Sequence, residues 1–179
     1  MSTVLFGTQQ VHDYHSALGF PVYTESLKAL RASTPRTVLT WVTRSNMRAL
    51  DHLLPVLVRE KVERWSLAPV PTAGEIDAVA PRLALAAPRV LHALTRAERQ
   101  GIEVSLLAWP LCLLGPYATR ARRTEAQSFG SACETCAARS ACPGVSTVYR
   151  DRFEGDEFRA RDAVSIDVSE GPTWRAEPT

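Results

Sequence analysis

Residues 37–68, TVLTWVTRSNMRALDHLLPVLVREKVERWSLA, decide the fold. Thr37 to Thr43 is rich in β-branched and aromatic residues and reads as a strand. Ser45 or Asn46 then offers a side chain to the first free amides of a helix. From there to about Lys61, the residues Leu50, Leu53, Leu54, Leu57 and Val58 recur three and four apart and give one apolar face, with Pro55 expected to bend the helix. Trp65 to Ala68 is the next strand, stopped by Pro69 and the turn-rich Pro71-Thr72-Ala73-Gly74.

The same alternation extends outward in both directions. Upstream, Thr3-Val4-Leu5-Phe6 is a short β-favouring run, a polar segment from Gly7 to His15 reads as a loop, and Leu27, Ala29 and Leu30 support a helix from Thr24, its expected N-cap, to Ala32. Downstream, a helical stretch is expected to be divided at Pro81 and Pro88. Its second part carries Val90, Leu91, Leu94 and Ala97 on one side and stops at Gly101. Glu103 to Leu107 is a fourth strand. Strands alternating with helices argue for an α/β fold of parallel strands joined by right-handed crossovers.

The chain has 179 residues, enough for one domain with a real core, and a net charge of +2. The positive charge is almost all arginine, Lys28 and Lys61 being the only lysines, so no nucleic-acid surface is expected. The longest apolar run, Leu106 to Leu114, is broken by Pro110 and falls short of the roughly twenty residues of a membrane helix. No signal peptide is evident, and the cytoplasm is the expected compartment.

The last third is organised around four cysteines, Cys112, Cys133, Cys136 and Cys142. Three stand as Cys-x2-Cys-x5-Cys in a run of small and polar residues that offers little apolar core, and Cys112 can reach back to complete a tetrathiolate site. Disulfides are uncommon in reducing cytosol, and unrelated buried thiols would sit singly on apolar faces. Zinc and an iron–sulfur cluster both remain open, the uneven spacing leaning toward a cluster.

Several stretches together resemble the C-terminal part of radical SAM enzymes that carry an auxiliary cysteine motif after the barrel. Leu5-Phe6-Gly7 with His12-Asp13 and Gly19-Phe20 resembles the fourth barrel strand and its loop. Thr40 to Asn46 with Met47-Arg48-Ala49-Leu50 resembles the fifth strand and its helix, and Ala68 to Gly74 the end of the sixth. Pro110-Leu111-Cys112-Leu113-Leu114-Gly115, then Cys133-x2-Cys136-x5-Cys142-Pro143-Gly144-Val145 and Tyr149, is similar to the cysteine-rich tail of radical SAM maturases. The resemblance implies the C-terminal half of a parallel (β/α) TIM-type barrel over residues 1–109, an auxiliary 4Fe-4S segment over 110–158 and a weakly ordered tail over 159–179. The family's Cys-x3-Cys-x2-Cys loop, which holds the cluster that cleaves S-adenosylmethionine, is absent from these residues. The chain therefore resembles a fragment or split subunit of a peptide- or protein-modifying maturase, catalytic only with a complementing N-terminal polypeptide. The contrasting expectation is a non-enzymatic zinc-binding scaffold or partner-binding module.

Among single residues, His12 and Asp13 fall at the C-terminal end of a strand, where parallel barrels gather their active sites. Asn46 resembles a contact to the cofactor, although a helix N-cap explains it as well. His52 and His92 read as surface or packing residues, Trp41 and Trp65 as core. Arg120, Arg122 and Arg123 could meet an acidic peptide or balance thiolate charge. Val4-Leu5-Phe6 carries neither charge nor proline, so an unguarded edge prone to self-association is expected there.

Overall fold

The computed structural model describes residues 2–17, 19–70, 79–122 and 128–162. Among them, one sheet contains β1 (Thr3–Val4), β2 (Thr37–Val42), β3 (Arg64–Pro69), β4 (Glu103–Leu107) and β5 (Ala121–Arg122). Every neighbouring pair is parallel, and the strands lie side by side in the order of the sequence. The helices are α1 (Gln9–Ser16), α2 (Tyr23–Ala32), α3 (Leu54–Arg59), α4 (Leu83–Glu98) and α5 (Thr147–Phe153). None of them is long and apolar enough to cross a membrane.

Alternation along each strand divides the apolar side chains between two faces. Val38, Val42, Trp65, Leu67, Val104 and Leu106 share the main core with Leu27 and Leu30 of α2, Leu57 of α3 and Val90 and Leu94 of α4. Trp65 is fully buried there and donates its Nε1–H to Thr40 Oγ1 at 2.9 Å, so its one polar atom is satisfied. On the opposite face Phe6, Leu39, Trp41, Ala68, Val70 and Leu107 form a smaller cluster.

Several local expectations are corrected. The polar stretch after β1 is α1, because His12 and His15, three apart, both turn inward and the helix buries imidazoles where an aliphatic stripe would be sought. Thr24 does not cap α2: the helix begins one residue earlier, and its Tyr23 N–H is taken by Asp13 Oδ1 at 2.7 Å. The helix expected over residues 46–61 is a turn, a 3-10 segment at Leu50–Leu53 and then α3, with Pro55 in the first helical turn, where its missing N–H costs no hydrogen bond. Pro88 does not divide α4, which runs through it. Gly101 ends that helix as expected, with φ +77° and Ile102 N–H bonded back to the Ala97 carbonyl at 3.2 Å. The fourth strand has the expected bounds, whereas β5 was not anticipated. The turn at Pro71–Gly74, Arg123 and residues 163–179 of the expected tail lie outside the described residues.

Just past β1, two backbone groups are occupied by side chains. The strand is only two residues long, and Phe6, one residue past Leu5, turns its N–H away from β2 to His12 Nδ1 at 3.2 Å and gives its carbonyl to Asn46 Nδ2 at 2.9 Å.

Candidate metal centre

The route from the sheet to the first cysteine is fixed by Trp109. After β4, Ala108 takes a left-handed conformation with φ +55°. Trp109 is then fully buried, with its Nε1–H donated to the Leu67 carbonyl at 3.1 Å. Pro110 opens a 3-10 turn, Leu111–Leu113, that carries Cys112 against the main core.

The other three cysteines come from a chain of tight turns. Cys133 closes the 3-10 turn Ser131–Cys133, and Cys136 N–H returns to its carbonyl at 3.3 Å. Cys142 N–H returns to Ala138 at 2.9 Å, and the chain then turns through Gly144 at φ +69°. Ser128 and Val145 close the base of this loop with reciprocal backbone bonds of 2.7 and 3.0 Å. The loop is less dependent on metal than its composition implies, because Ala138 and Val145 are buried in the main core.

All four cysteines line one small pocket, partly open to solvent, together with Leu111, Phe129, Val145, Phe158, Arg139 and Arg159. All are free thiols. Backbone amides point at the sulfurs: Leu111 and Gly144 N–H each lie 3.5 Å from Cys142 Sγ, and Arg161 N–H lies 3.4 Å from Cys136 Sγ. Burial pushes the Cys112 and Cys142 thiols up, neighbouring thiols add to this, and the amide donors oppose it. Among the described residues no three His, Cys, Asp or Glu side chains converge closely enough to hold a single metal ion. The thiols surround a void; in a tetrahedral zinc site, bonds near 2.3 Å would bring the sulfurs to about 3.8 Å apart.

The donor chemistry fits a thiolate-bound group. Four soft thiol donors in one lining, with amide dipoles aimed at two of the sulfurs and apolar neighbours, are chemically suited to such a group.

No protein family, curated protein or solved structure matches the chain.

The other singled-out residues are committed to the scaffold. His12 is fully buried with both ring nitrogens engaged, the second with the Pro21 carbonyl at 2.8 Å. Burial lowers its pKa, and that of His15 likewise. Asp13 holds the first amide of α2. Asn46 is buried and caps no helix: Oδ1 accepts Thr43 N–H at 2.8 Å while Nδ2 donates to Phe6 and Trp41, pinning the ends of β1 and β2 together. Arg120 pairs with Glu98 at 2.8 Å and Arg122 donates to the carbonyls of Thr119 and Ala121, so neither lines the cysteine cavity. His52 and His92 are exposed, Trp41 and Trp65 buried.

Sequence reasoning missed two parts of the site. Arg161, in the stretch expected to be a loose tail, reaches a sulfur with a backbone group that leaves no mark in residue type. Tyr149 and Glu157 grip the start of α4: Leu83 N–H meets Tyr149 Oη at 2.7 Å, Ala84 N–H meets Glu157 Oε2 at 2.5 Å, and the phenol donates to Glu157 Oε1. The helix has no cap from its own preceding residue, so the cysteine segment supplies one.

Proposed function

We propose that the chain is the sheet and auxiliary-cluster portion of a radical SAM-type, peptide- or protein-modifying enzyme, with Cys112, Cys133, Cys136 and Cys142 holding a 4Fe-4S cluster. The observation that carries the proposal is that all four thiols line one cavity while backbone amides donate to two of them. The sequential, all-parallel strand order supports a partial (β/α) barrel, since a doubly wound sheet would reverse its order at a switch point. Cytoplasmic residence accords with four reduced thiols.

A fully thiolate-ligated cluster supplies one-electron transfer. The chain's own part is to ligate, orient and shield. The two turns present Cys133, Cys136 and Cys142 from one loop, the Trp109 anchor holds Cys112 to the sheet, and Leu111, Phe129, Val145 and Phe158 provide an apolar wall. S-adenosylmethionine cleavage is assigned to a complementing polypeptide that brings the Cys-x3-Cys-x2-Cys loop.

Anaerobic purification tests the proposal. Brown protein with broad visible absorbance and about four irons per chain is expected. Colourless protein with about one zinc overturns it in favour of a zinc-bound scaffold.

A further inference from the structure

We propose that Arg159 to Arg161 form a clasp that raises the reduction potential of the cluster and slows its loss; the inference rests on the cluster assignment above. One cysteine and the residue beside another, well separated in sequence, are reached by this one short segment. Arg161 N–H points at Cys136 Sγ, and its carbonyl accepts Ala137 N–H at 2.9 Å, so the segment runs along the Cys133–Cys136 turn. The Arg161 guanidinium crosses to the Leu111 carbonyl at 2.9 Å, beside Cys112.

The clasp is anchored just upstream. Phe158 is buried in the main core and lines the cavity, and Glu157 is fixed to the first turn of α4. Arg159 directs its guanidinium to the carbonyls of Asp156 and Phe158 at 2.7 and 2.9 Å, which stiffens the turn that feeds the clasp. The amides are therefore held in place before any metal arrives.

An N–H dipole aimed at a ligating sulfur stabilises negative charge on it, and the reduced cluster carries one more electron than the oxidised one. The gain is larger in the reduced state, so each such bond moves the potential upward. Cys142 has its own donors in Leu111 and Gly144 and does not need the clasp. Cys136 does.

Three variants of the full chain separate amide from guanidinium. Arg161→Pro removes the N–H, Arg161→Ala keeps it but removes the bridge to Leu111, and Arg161→Lys restores a cationic donor. After anaerobic loading, midpoint potential is read by redox titration and cluster loss by bleaching under a chelator. Arg161→Pro is expected to shift the midpoint to more negative values. Arg161→Ala should lose the cluster several-fold faster at an unchanged midpoint, with Arg161→Lys recovering part of the lifetime. An Arg161→Pro protein with wild-type potential and wild-type bleaching overturns the clasp. Should that variant fold poorly, hydrogen exchange on the wild-type protein decides: strong protection of the Arg161 amide in the loaded state is expected, and rapid exchange there overturns the proposal. Failure of the wild-type chain to take up iron is a different result, and it removes the cluster assignment beneath.

Discussion

His12 Nδ1 accepts the backbone N–H of Phe6 at 3.2 Å, and this bond occupies a backbone donor just past the first strand. Accepting at Nδ1 fixes the proton on Nε2, which donates to Pro21. The imidazole thus joins the sheet edge to the segment entering α2.

Replacing His12 by Ala strands the buried Phe6 amide, removes one of the two donors to the Pro21 carbonyl and leaves a void beside Phe6. A loss of about 2–4 kcal/mol is expected in urea unfolding, by the cost of unsatisfied groups and of the cavity. A change within about 0.5 kcal/mol, the range of ordinary surface substitutions, would show that the edge does not depend on this residue. Light scattering should also show more self-association in the variant than in the parent.

Acid should destabilise the protein in two steps. Burial lowers the pKa of His12 and His15 from the ordinary 6.5, so the unfolded chain binds more protons and stability falls as pH drops below that value. Glu60 acts lower down. Its carboxylate is held at about 2, chiefly by Arg31 at 2.8 Å with help from Arg59, against the cost of burial. Its folded value lies below its ordinary 4.5, so its contribution is whole above 4.5 and is lost as pH falls toward 2. Because both guanidiniums are largely exposed, Glu60→Gln is expected to cost only about 1–2 kcal/mol at neutral pH, and the second step should vanish in it. A variant that retains that step would assign it elsewhere.

Cys133→Ala or Cys136→Ala should abolish metal binding, since the shared turn supplies both thiolates. Proteolysis should then speed up within residues 131–142 and stop at the Ser128–Val145 bridge, while far-UV circular dichroism of the sheet is unchanged. Equal metal content and equal cleavage in variant and parent would rule out a role for that turn.

The isolated, reconstituted chain should not cleave S-adenosylmethionine after chemical reduction. Four thiolates would satisfy every iron of the proposed cluster, leaving none open to the amino and carboxylate groups of the cofactor. The appearance of 5′-deoxyadenosine above background would contradict this.

The sheet was legible because its strands are β-branched or apolar runs and its crossovers carry leucines at helical spacing. Glu103 to Leu107 could be bounded to the residue, since Gly101 marks the turn before it. The helix Gln9–Ser16 was not legible, because its inward face is histidine and apolar periodicity is blind to it. The cysteines announced themselves by type and spacing. Their amide donors did not, because an N–H belongs to nearly every residue and only the path of the chain decides where it points. The grip of Tyr149 and Glu157 on α4 was hidden for a related reason: it links residues far apart in sequence through a turn that no local pattern specifies.

Strands that pair in the order they are written can also be laid down in the order they are made. A chain emerging from the ribosome can dock β2 on β1, β3 on β2 and β4 on β3 as each appears, without waiting for a distant partner. Cys112 is placed at the end of that process, the remaining thiols follow, and Arg161 comes last of all. Chains arrested between Gly144 and Arg159 would carry every thiol yet lack the segment that packs beside them, so the cysteine pocket is completed only late in biosynthesis.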